Sequence, residues 1–172
     1  MFGRKHLSSD WRRVGDLQLE LNFDRSSLNG VGIGEAVDGL SGLGPSDDAG
    51  AARDGVLRYL SHGLELRASD GRLEEITLIW VDTLKDGYSP FSGVCRWKGR
   101  TLNFGPATVE RDITFALGNA DGREETRDEE SGTLEEVVLT YSASDIEWEV
   151  TLGPRGALQE IRLALASASE GP

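Results

Sequence analysis

Apolar and polar residues alternate along much of this 172-residue chain, in short runs that glycine-containing turns separate. Residues 17–23 place Leu, Leu, Leu and Phe at every second position, and the same period of two returns in residues 64–67 and 146–152. Alternation of this kind is typical of a strand with one buried face. The pattern therefore predicts a protein built mainly of short, half-buried strands.

An internal repeat accompanies the strand pattern. Residues 71–78 read Gly-Arg-Leu-Glu-Glu-Ile-Thr-Leu and residues 156–163 read Gly-Ala-Leu-Gln-Glu-Ile-Arg-Leu, with Gly, Leu, Glu, Ile and Leu in register. Upstream, Tyr59 parallels Tyr141, and the Leu-Gly pair at 43–44 parallels the pair at 117–118. Because several blocks recur in one order with similar gaps, we predict two fused copies of one unit.

Each unit is predicted to contain two strands, a short helix and a three-stranded antiparallel meander, and the first two strands of the first unit are expected at 17–23 and 27–33. The helices fall at 35–43 and 109–117, and each is followed by a glycine suited to a helix stop. We predict an α+β fold whose meanders form one continuous or nearly continuous sheet, with the helices on one face. The other face, or the acidic stretch 121–130, is the predicted binding surface.

The predicted boundaries follow from these patterns. They are an N-terminal tail (1–16), a first repeat (17–81), a linker (82–92), a second repeat (93–165) and a C-terminal tail (166–172). Trp80 is predicted to pack between the two repeats. Residues 121–130, which are rich in Asp and Glu, are predicted to form a flexible solvated loop.

The charge restricts the classes of partner. A formal net charge of −12 argues against nucleic acid and against anionic membrane surfaces, since both bind clustered Lys and Arg. An acidic chain instead attracts a basic protein, although the same charge also serves solubility alone. No apolar stretch long enough for a membrane span or a signal peptide follows the basic N-terminus, so a cytoplasmic location is expected.

Candidate chemistry is sparse. The single cysteine, Cys95, excludes an internal disulfide and a cysteine-rich metal site. The two histidines, His6 and His62, lie in a tail and a turn without the sequence context of a nucleophilic triad. The glycine-rich residues 30–34 lack the spacing and the lysine of a phosphate-binding loop. We therefore expect a non-catalytic protein without a cofactor or a metal.

Aromatic side chains are the candidate anchors for a protein partner, because interfaces are rich in Tyr, Trp and Phe. Most of them are explained equally well as core residues. Tyr88 and Phe91, in the linker, have the best claim to exposure. The candidate protein-binding residues are Tyr88, Phe91, Trp97, Tyr141 and Trp148.

Several of these elements together resemble a known superfamily. They are a strand ending in Gly-Ile-Gly (32–34), a helix ending in Leu-Gly-Pro (43–45), a tyrosine-bearing strand, a Gly-Leu-Glu-Leu strand (63–66) and an Asp-Gly-Arg-Leu hairpin (70–73). The pattern resembles the repeat of the β-lactamase-inhibitory-protein superfamily and is similar to small outer-membrane assembly lipoproteins. It is closer still to uncharacterised bacterial domains of the same plan. The resemblance implies a tandem-repeat binding scaffold and transfers no partner and no binding residue.

Two functional hypotheses follow. The first is a protein-binding module, with an inhibitor or immunity protein that neutralises a basic toxin or enzyme as its specific form. The alternative is a structural or housekeeping domain without a dedicated ligand, such as a subunit of a homo-oligomer. The oligomeric state itself is not readable from the sequence.

Overall fold

Two β-sheets and a few short helices make up the protein in a computed structural model that describes residues 5–166. Twelve strands form the sheets, and a 3-10 helix, Val37–Leu43, is the longest helical segment of the N-terminal half. The α-helices are α1 (Ala49–Arg53) and α2 (Glu110–Leu117). The predicted α+β class, with mostly antiparallel sheets and few helices, is confirmed at this level.

The smaller sheet has five strands in the order β3-β2-β1-β7-β8. Its strands are β1 (Glu20–Asn22), β2 (Ser27–Leu28), β3 (Val31–Gly32), β7 (Val94–Trp97) and β8 (Arg100–Leu102). β1 and β7 pair in parallel, and the other pairs are antiparallel. Strands from both halves of the chain thus meet in this sheet.

The larger sheet has seven strands in the order β4-β5-β6-β12-β11-β10-β9. Its strands are β4 (Val56–Tyr59), β5 (Leu64–Ser69), β6 (Arg72–Ile79), β9 (Gly122–Arg127), β10 (Leu134–Ala143), β11 (Ile146–Leu152) and β12 (Leu158–Leu165). Antiparallel pairing of β6 with β12 joins the two meanders, so the predicted continuous sheet is confirmed. We call this junction the seam.

Alternation decides which face of the seven-stranded sheet is buried. On β10, Val137, Leu139 and Tyr141 are buried, while the residues between them are partly exposed. Across the seam, Ile76 faces Leu163 and Leu78 faces Ile161, and all four side chains are fully buried. The core therefore lies on one side of the sheet, and the opposite side carries the polar residues.

Trp148, on β11, connects the two sheets. Its indole Nε1–H donates a hydrogen bond to Ser26 Oγ at 3.0 Å, between the strands β1 and β2. Its ring centroid lies 4.9 Å from that of Phe23 and 5.2 Å from that of Trp97. A buried indole with its N–H paired is a stable link, because no unpaired donor remains and the ring packs against other aromatic rings.

Two glycines end the helical segments in the same manner. Gly44 follows the 3-10 helix and Gly118 follows α2, and their φ angles of 79° and 89° are ones that favour glycine. Tyr59 donates its hydroxyl hydrogen to the Gly44 carbonyl at 3.0 Å, and Tyr141 donates to the Gly118 carbonyl at 3.1 Å. Both helical segments therefore lie against the buried face of the seven-stranded sheet.

Some predicted elements are different in the structure. The strand expected at 27–33 is instead the hairpin of β2 and β3, which turns at Asn29 and Gly30. Residues 122–127, expected in a flexible loop, form β9 at the edge of the large sheet. β9 consists almost entirely of exposed polar residues, so it has no hydrophobic alternation by which a strand is recognised.

The predicted N-terminal tail is also corrected. Ser8 is fully buried and Trp11 is 7% exposed, and Ser8 Oγ accepts a hydrogen bond from the Ser46 N–H at 3.0 Å. The part of this segment that the structure describes therefore packs on the core. Across residues 5–166, no helix is long and apolar enough to cross a membrane.

Candidate functional site

The predicted anchor residues do not form a common exposed surface. Phe91, Tyr141 and Trp148 are buried, so the expected exposure of Phe91 is wrong, and the core explains these three side chains. Phe91 packs edge-on against Trp80, with 5.7 Å between ring centroids, beside the seam where Trp80 was expected. Hydrophobic burial thus accounts for most of the aromatic residues that the sequence singled out.

The other two predicted anchors are half-buried. Tyr88 donates its hydroxyl hydrogen to Glu65 Oε2 at 2.8 Å, so its polar end is already paired. Trp97 packs against Trp148, and Lys98 Nζ lies 5.0 Å from the centroid of its ring. Tyr88 lies on the 82–92 segment, and Trp97 lies on β7 of the smaller sheet. The Tyr141 and Trp148 ring centroids are also 6.2 Å apart, so the structure brings Trp97, Trp148 and Tyr141 into one largely buried cluster, which does not include Tyr88 or Phe91.

The open face of the seven-stranded sheet is the most distinctive surface. Cross-strand neighbours on this face form a row from β10 to β4: Thr140, Glu149, Arg162, Thr77, Glu65 and Arg58. Ion pairs occupy the middle of the row, where Arg162 Nε lies 3.2 Å from Glu149 Oε2 and Arg162 Nη1 lies 3.5 Å from Glu75 Oε2. Alternating charge makes the middle of the face a solvated surface rather than a core.

The C-terminal half of this face is strongly acidic. A shallow depression of about 660 Å³ lies over β9 to β12, and we call it the acidic trough. Its floor is formed by short side chains, and six carboxylates surround them. The lining residues that carry these groups are Val138, Thr140 and Thr151 on the floor and Asp121, Glu124, Glu136, Glu147, Glu149 and Glu160 around it.

Arginines compensate acids in the other half of the face. Arg58 Nε lies 3.3 Å from Glu65 Oε2, although it is not aligned for a hydrogen bond. Arg67, the cross-strand neighbour of Glu75, adds a second cation. In the trough, only Glu149 has an ion pair within residues 5–166, with Arg162. The face is therefore close to neutral on β4 to β6 and negative on β9 to β12.

Glu160 shows the electrostatic consequence. Its side chain is half-buried on β12, opposite Thr151 and Ile79. Burial raises the pKa of its carboxyl group above the ordinary value, and the negative charge of Glu136 raises it further against the opposing effect of Arg162. A carboxylate in this position is under-compensated, so a cation brought to it is favoured.

Four of the trough acids are not distinguished by the sequence pattern. Glu136, Glu147, Glu149 and Glu160 each occupy the polar position of an alternating strand, which is the most ordinary place for a glutamate. Only the pairing of β10 with β11 and of β11 with β12 makes them neighbours. The predicted acidic surface at 121–130 supplies Asp121 and Glu124, which are one side of the trough.

The residues in the described part of the chain do not provide a metal centre. Within residues 5–166, no group of three or more His, Cys, Asp or Glu side chains has the geometry to hold a metal ion. Cys95 is buried on β7, and burial raises the pKa of its thiol to about 12, so it stays protonated at neutral pH. It behaves as a small core residue, because the thiolate is the reactive form.

Comparison with known proteins establishes the fold alone. No protein-family model and no curated protein matches the chain by sequence. Among solved structures, a DUF4309 family protein (YjgB) from Bacillus subtilis is similar, with a TM-score of 0.50 and 13% identity. The match covers 80% of this chain and 83% of that chain. The fold of two mostly antiparallel sheets with few helices is therefore shared with a bacterial protein.

Proposed function

We propose that this protein is a non-catalytic binding module that recognises a basic segment of another protein through the acidic trough. The observation that carries the proposal is the uneven charge of the open sheet face. Its acids are matched by arginines on β4 to β6 and are left largely unmatched on β9 to β12. Lys or Arg side chains of a partner would supply the missing compensation.

The shape of the trough also supports binding of a basic segment. Val138, Thr140 and Thr151 are short, so a partner's side chains can reach the sheet between the surrounding carboxylates. β10, β11 and β12 are buried on their other face and paired on both sides, which holds the carboxylates of Glu136, Glu149 and Glu160 in place before binding. Preorganised acids bind a cationic segment with little ordering cost on this side of the interface.

Neutralisation of a basic toxin or enzyme is the specific form of this function. An inhibitor of that kind gains its association rate from charge, because opposite fields steer the two proteins together. The encounter would take place in the cytoplasm, the compartment predicted from the N-terminal sequence. The wider resemblance to the β-lactamase-inhibitory-protein superfamily belongs to this proposal as well.

The scaffold is proposed to be a tandem repeat, supported by matched hydrogen bonds in the two halves. Besides the two tyrosine contacts to Gly44 and Gly118, Asp47 Oδ2 accepts from the Leu60 N–H at 2.8 Å. Asp121 Oδ2 accepts from the Ser142 N–H at 2.7 Å in the corresponding place. Each accepting aspartate follows its helix, and each donor follows its strand tyrosine.

Paired variants test the binding proposal. The trough variant combines Glu124→Gln, Glu136→Gln and Glu147→Gln, and the control combines Asp38→Asn, Glu129→Gln and Glu130→Gln. Both remove three negative charges, but the control residues lie outside the trough. Affinity capture from source lysate with quantitative mass spectrometry should recover the same partner with the native protein and the control, and should lose it with the trough variant.

Salt is the second variable of this experiment. Recovery with the native protein is expected to fall as ionic strength rises, because exposed charges are screened beyond about 10 Å at 0.1 M salt. Equal recovery by both variants, or no partner above background at low and at physiological salt, would contradict the proposal.

A further inference from the structure

A second surface, unrelated to the acidic trough, lies at the free edge of the five-stranded sheet. There a groove of about 270 Å³ runs between β8 and α2. Residues 100–104 form one wall, and Asp112, Phe115 and Ala116 of α2 form the other. We call it the edge groove. β8 is the last strand of its sheet, so no strand within residues 5–166 pairs with its outer side.

Phe115 makes the edge groove unusual. α2 buries Ile113 and Leu117, but Phe115 is 84% exposed at the rim of the groove. Leu102 and Phe104, which are partly buried, extend the apolar surface into the groove. An exposed phenylalanine beside an unpaired strand edge favours aggregation unless another segment covers both.

In the N-terminal half of the molecule, an extended segment covers the corresponding helix. Residues 11–17 lie over the 3-10 helix, where the Val14 N–H donates to the Gly42 carbonyl at 2.8 Å. Gly44 is closely covered by Arg13, so that a Cβ at Gly44 would come within 3.0 Å of the Arg13 Cβ.

Counted back from the two helix-ending glycines, Ala116 corresponds to Gly42, and Gly118 corresponds to Gly44. A Cβ at Gly118 would meet nothing within 4 Å among the described residues, and Ala116 lines the open groove. Within residues 5–166, an extended segment therefore covers the 3-10 helix, and no described residue covers the same place on α2.

The charge around the edge groove identifies the chemistry of the segment. Arg100 lies in its lining, Lys98 precedes it by two residues, and both are exposed without an ion pair within residues 5–166, whereas Arg111 Nε lies 4.0 Å from Asp112 Oδ1. Asp112, the one acid in its lining, already accepts a hydrogen bond from the Val109 N–H through Oδ2 at 3.1 Å. In a chain of net charge −12, Lys98 and Arg100 are thus cations without an ion pair beside a compensated acid, and they attract an acidic segment.

We propose that the edge groove binds an extended, acidic segment of a partner protein, which adds as a strand beside β8 and places an apolar side chain against Phe115. Strand addition supplies backbone hydrogen bonds, and the pocket for alternate side chains supplies selectivity. The acidic side chains of the segment pair with Arg100 and Lys98. The site is independent of the acidic trough, which takes the opposite charge.

Nuclear magnetic resonance on the isotope-labelled full chain tests this proposal. The probe is the synthetic peptide Glu-Asp-Val-Phe-Val-Asp-Glu with blocked termini, and its control has Lys and Arg in place of the acids. The acidic peptide should shift the amide resonances of residues 100–104 and 112–116 and slow amide exchange in β8. The basic peptide should leave these resonances unchanged.

Matched variants give the test its specificity. Phe115→Ser should weaken binding of the acidic peptide at least about tenfold, as expected for an aromatic anchor. Leu84→Ser, at a leucine that is 80% exposed on the 82–92 segment, should leave the affinity unchanged. Circular dichroism of both variants checks that each one keeps its fold.

Three results would overturn the proposal. The first is no shift with the acidic peptide at millimolar concentration, and the second is equal binding of the two peptides. The third is a native dimer, detected by light scattering, that Phe115→Ser converts to monomer, because the occupant would then be a second copy of this chain. Shifts confined to the groove and abolished by Phe115→Ser support it.

Discussion

Side chains of the same residue type have different roles in this protein. Trp148 and Trp97 are in contact, yet only Trp148 spans both sheets through its bond to Ser26. Glu149 and Glu160 lie on neighbouring strands, yet only Glu149 forms an ion pair with Arg162. The surroundings of each residue therefore decide what its substitution does.

The link between the sheets predicts the effect of Trp148→Phe. The change leaves the buried Ser26 hydroxyl without its donor and removes part of the packing against Phe23, so we expect a loss of about 1–3 kcal/mol in the free energy of unfolding. Urea denaturation followed by circular dichroism measures it. Trp97→Phe is the control, with a smaller loss, because Trp97 is only half-buried. Equal losses would contradict the role given to Trp148.

The raised pKa of Glu160 predicts that its replacement by Gln stabilises the protein in a pH-dependent manner. Since the folded-state pKa lies above the ordinary value of 4.5, ionisation of Glu160 opposes folding at pH values above the folded pKa. That opposition disappears as the pH falls below the unfolded value, where the group is protonated in both states. Glu160→Gln should therefore stabilise the protein at pH 7 and have little effect at pH 4, as measured by denaturant titration at both values.

Glu124→Gln is the control for Glu160→Gln, since it removes the same charge from the exposed strand β9. Stabilisation by Glu160→Gln that is equal at pH 4 and pH 7 would show that protonation of this carboxyl group is not the cause.

At the scale of elements, short strands and turns are stabilised by side chains that bind the backbone. The loop between β6 and β7 has no regular structure over residues 82–88, but Asp82 organises it. Its carboxylate accepts hydrogen bonds from the backbone N–H groups of Asp86, Gly87 and Tyr88 at 3.0, 2.6 and 3.0 Å. One side chain thus replaces the ladder that a strand would have provided.

Asp82→Ala should release this loop without unfolding the sheets. The amides of residues 86–88 are expected to lose protection from hydrogen exchange, whereas those of β5 and β6 keep it, because the sheet ladder does not depend on Asp82. Hydrogen–deuterium exchange read by mass spectrometry measures both. Asp86→Ala is the control, since Asp86 contributes only its backbone N–H. Unchanged exchange at 86–88 in Asp82→Ala would contradict this account.

The whole molecule depends on pairings between its two halves. β6 pairs with β12 at the seam, and β1 pairs with β7 in the smaller sheet, so each half supplies a neighbouring strand to the other in both sheets. Units of this size bury too little apolar surface to be stable alone. Joining them covers Ile76, Leu78, Ile161 and Leu163 at the seam.

Separate halves are therefore expected not to fold. Residues 1–92 and 93–172, expressed apart, should each give poorly dispersed nuclear magnetic resonance spectra, and mixing them should restore the dispersed spectrum of the full chain. The control is the full chain cut after folding at a protease site inserted near Lys85, in the exposed loop. A dispersed spectrum from either half alone would show that the seam is not required.

The local sequence pattern correctly predicted most of the strands of the large sheet. Residues 64–67 and 146–152 alternate strictly, and the structure has strands there because one apolar face must be buried and one polar face solvated. The pattern failed at β9, which has no apolar face, and at residues 27–33, where Asn29 and Gly30 turn a predicted strand into a hairpin. It also missed α1, which is only five residues long.

Alternation, turn chemistry and charge, all local properties, are readable in the chain, and they determined the half-buried strands, the glycine-ended helices and the acidic character. Strand order, register and the packing of one segment on another join distant residues, so only the tertiary structure decided them. It brought Glu124, Glu136 and Glu160 to one trough, buried Phe91 and Trp148, and exposed Phe115 beside β8. A period of two shows that a face exists, whereas the neighbours of that face depend on which strands pair.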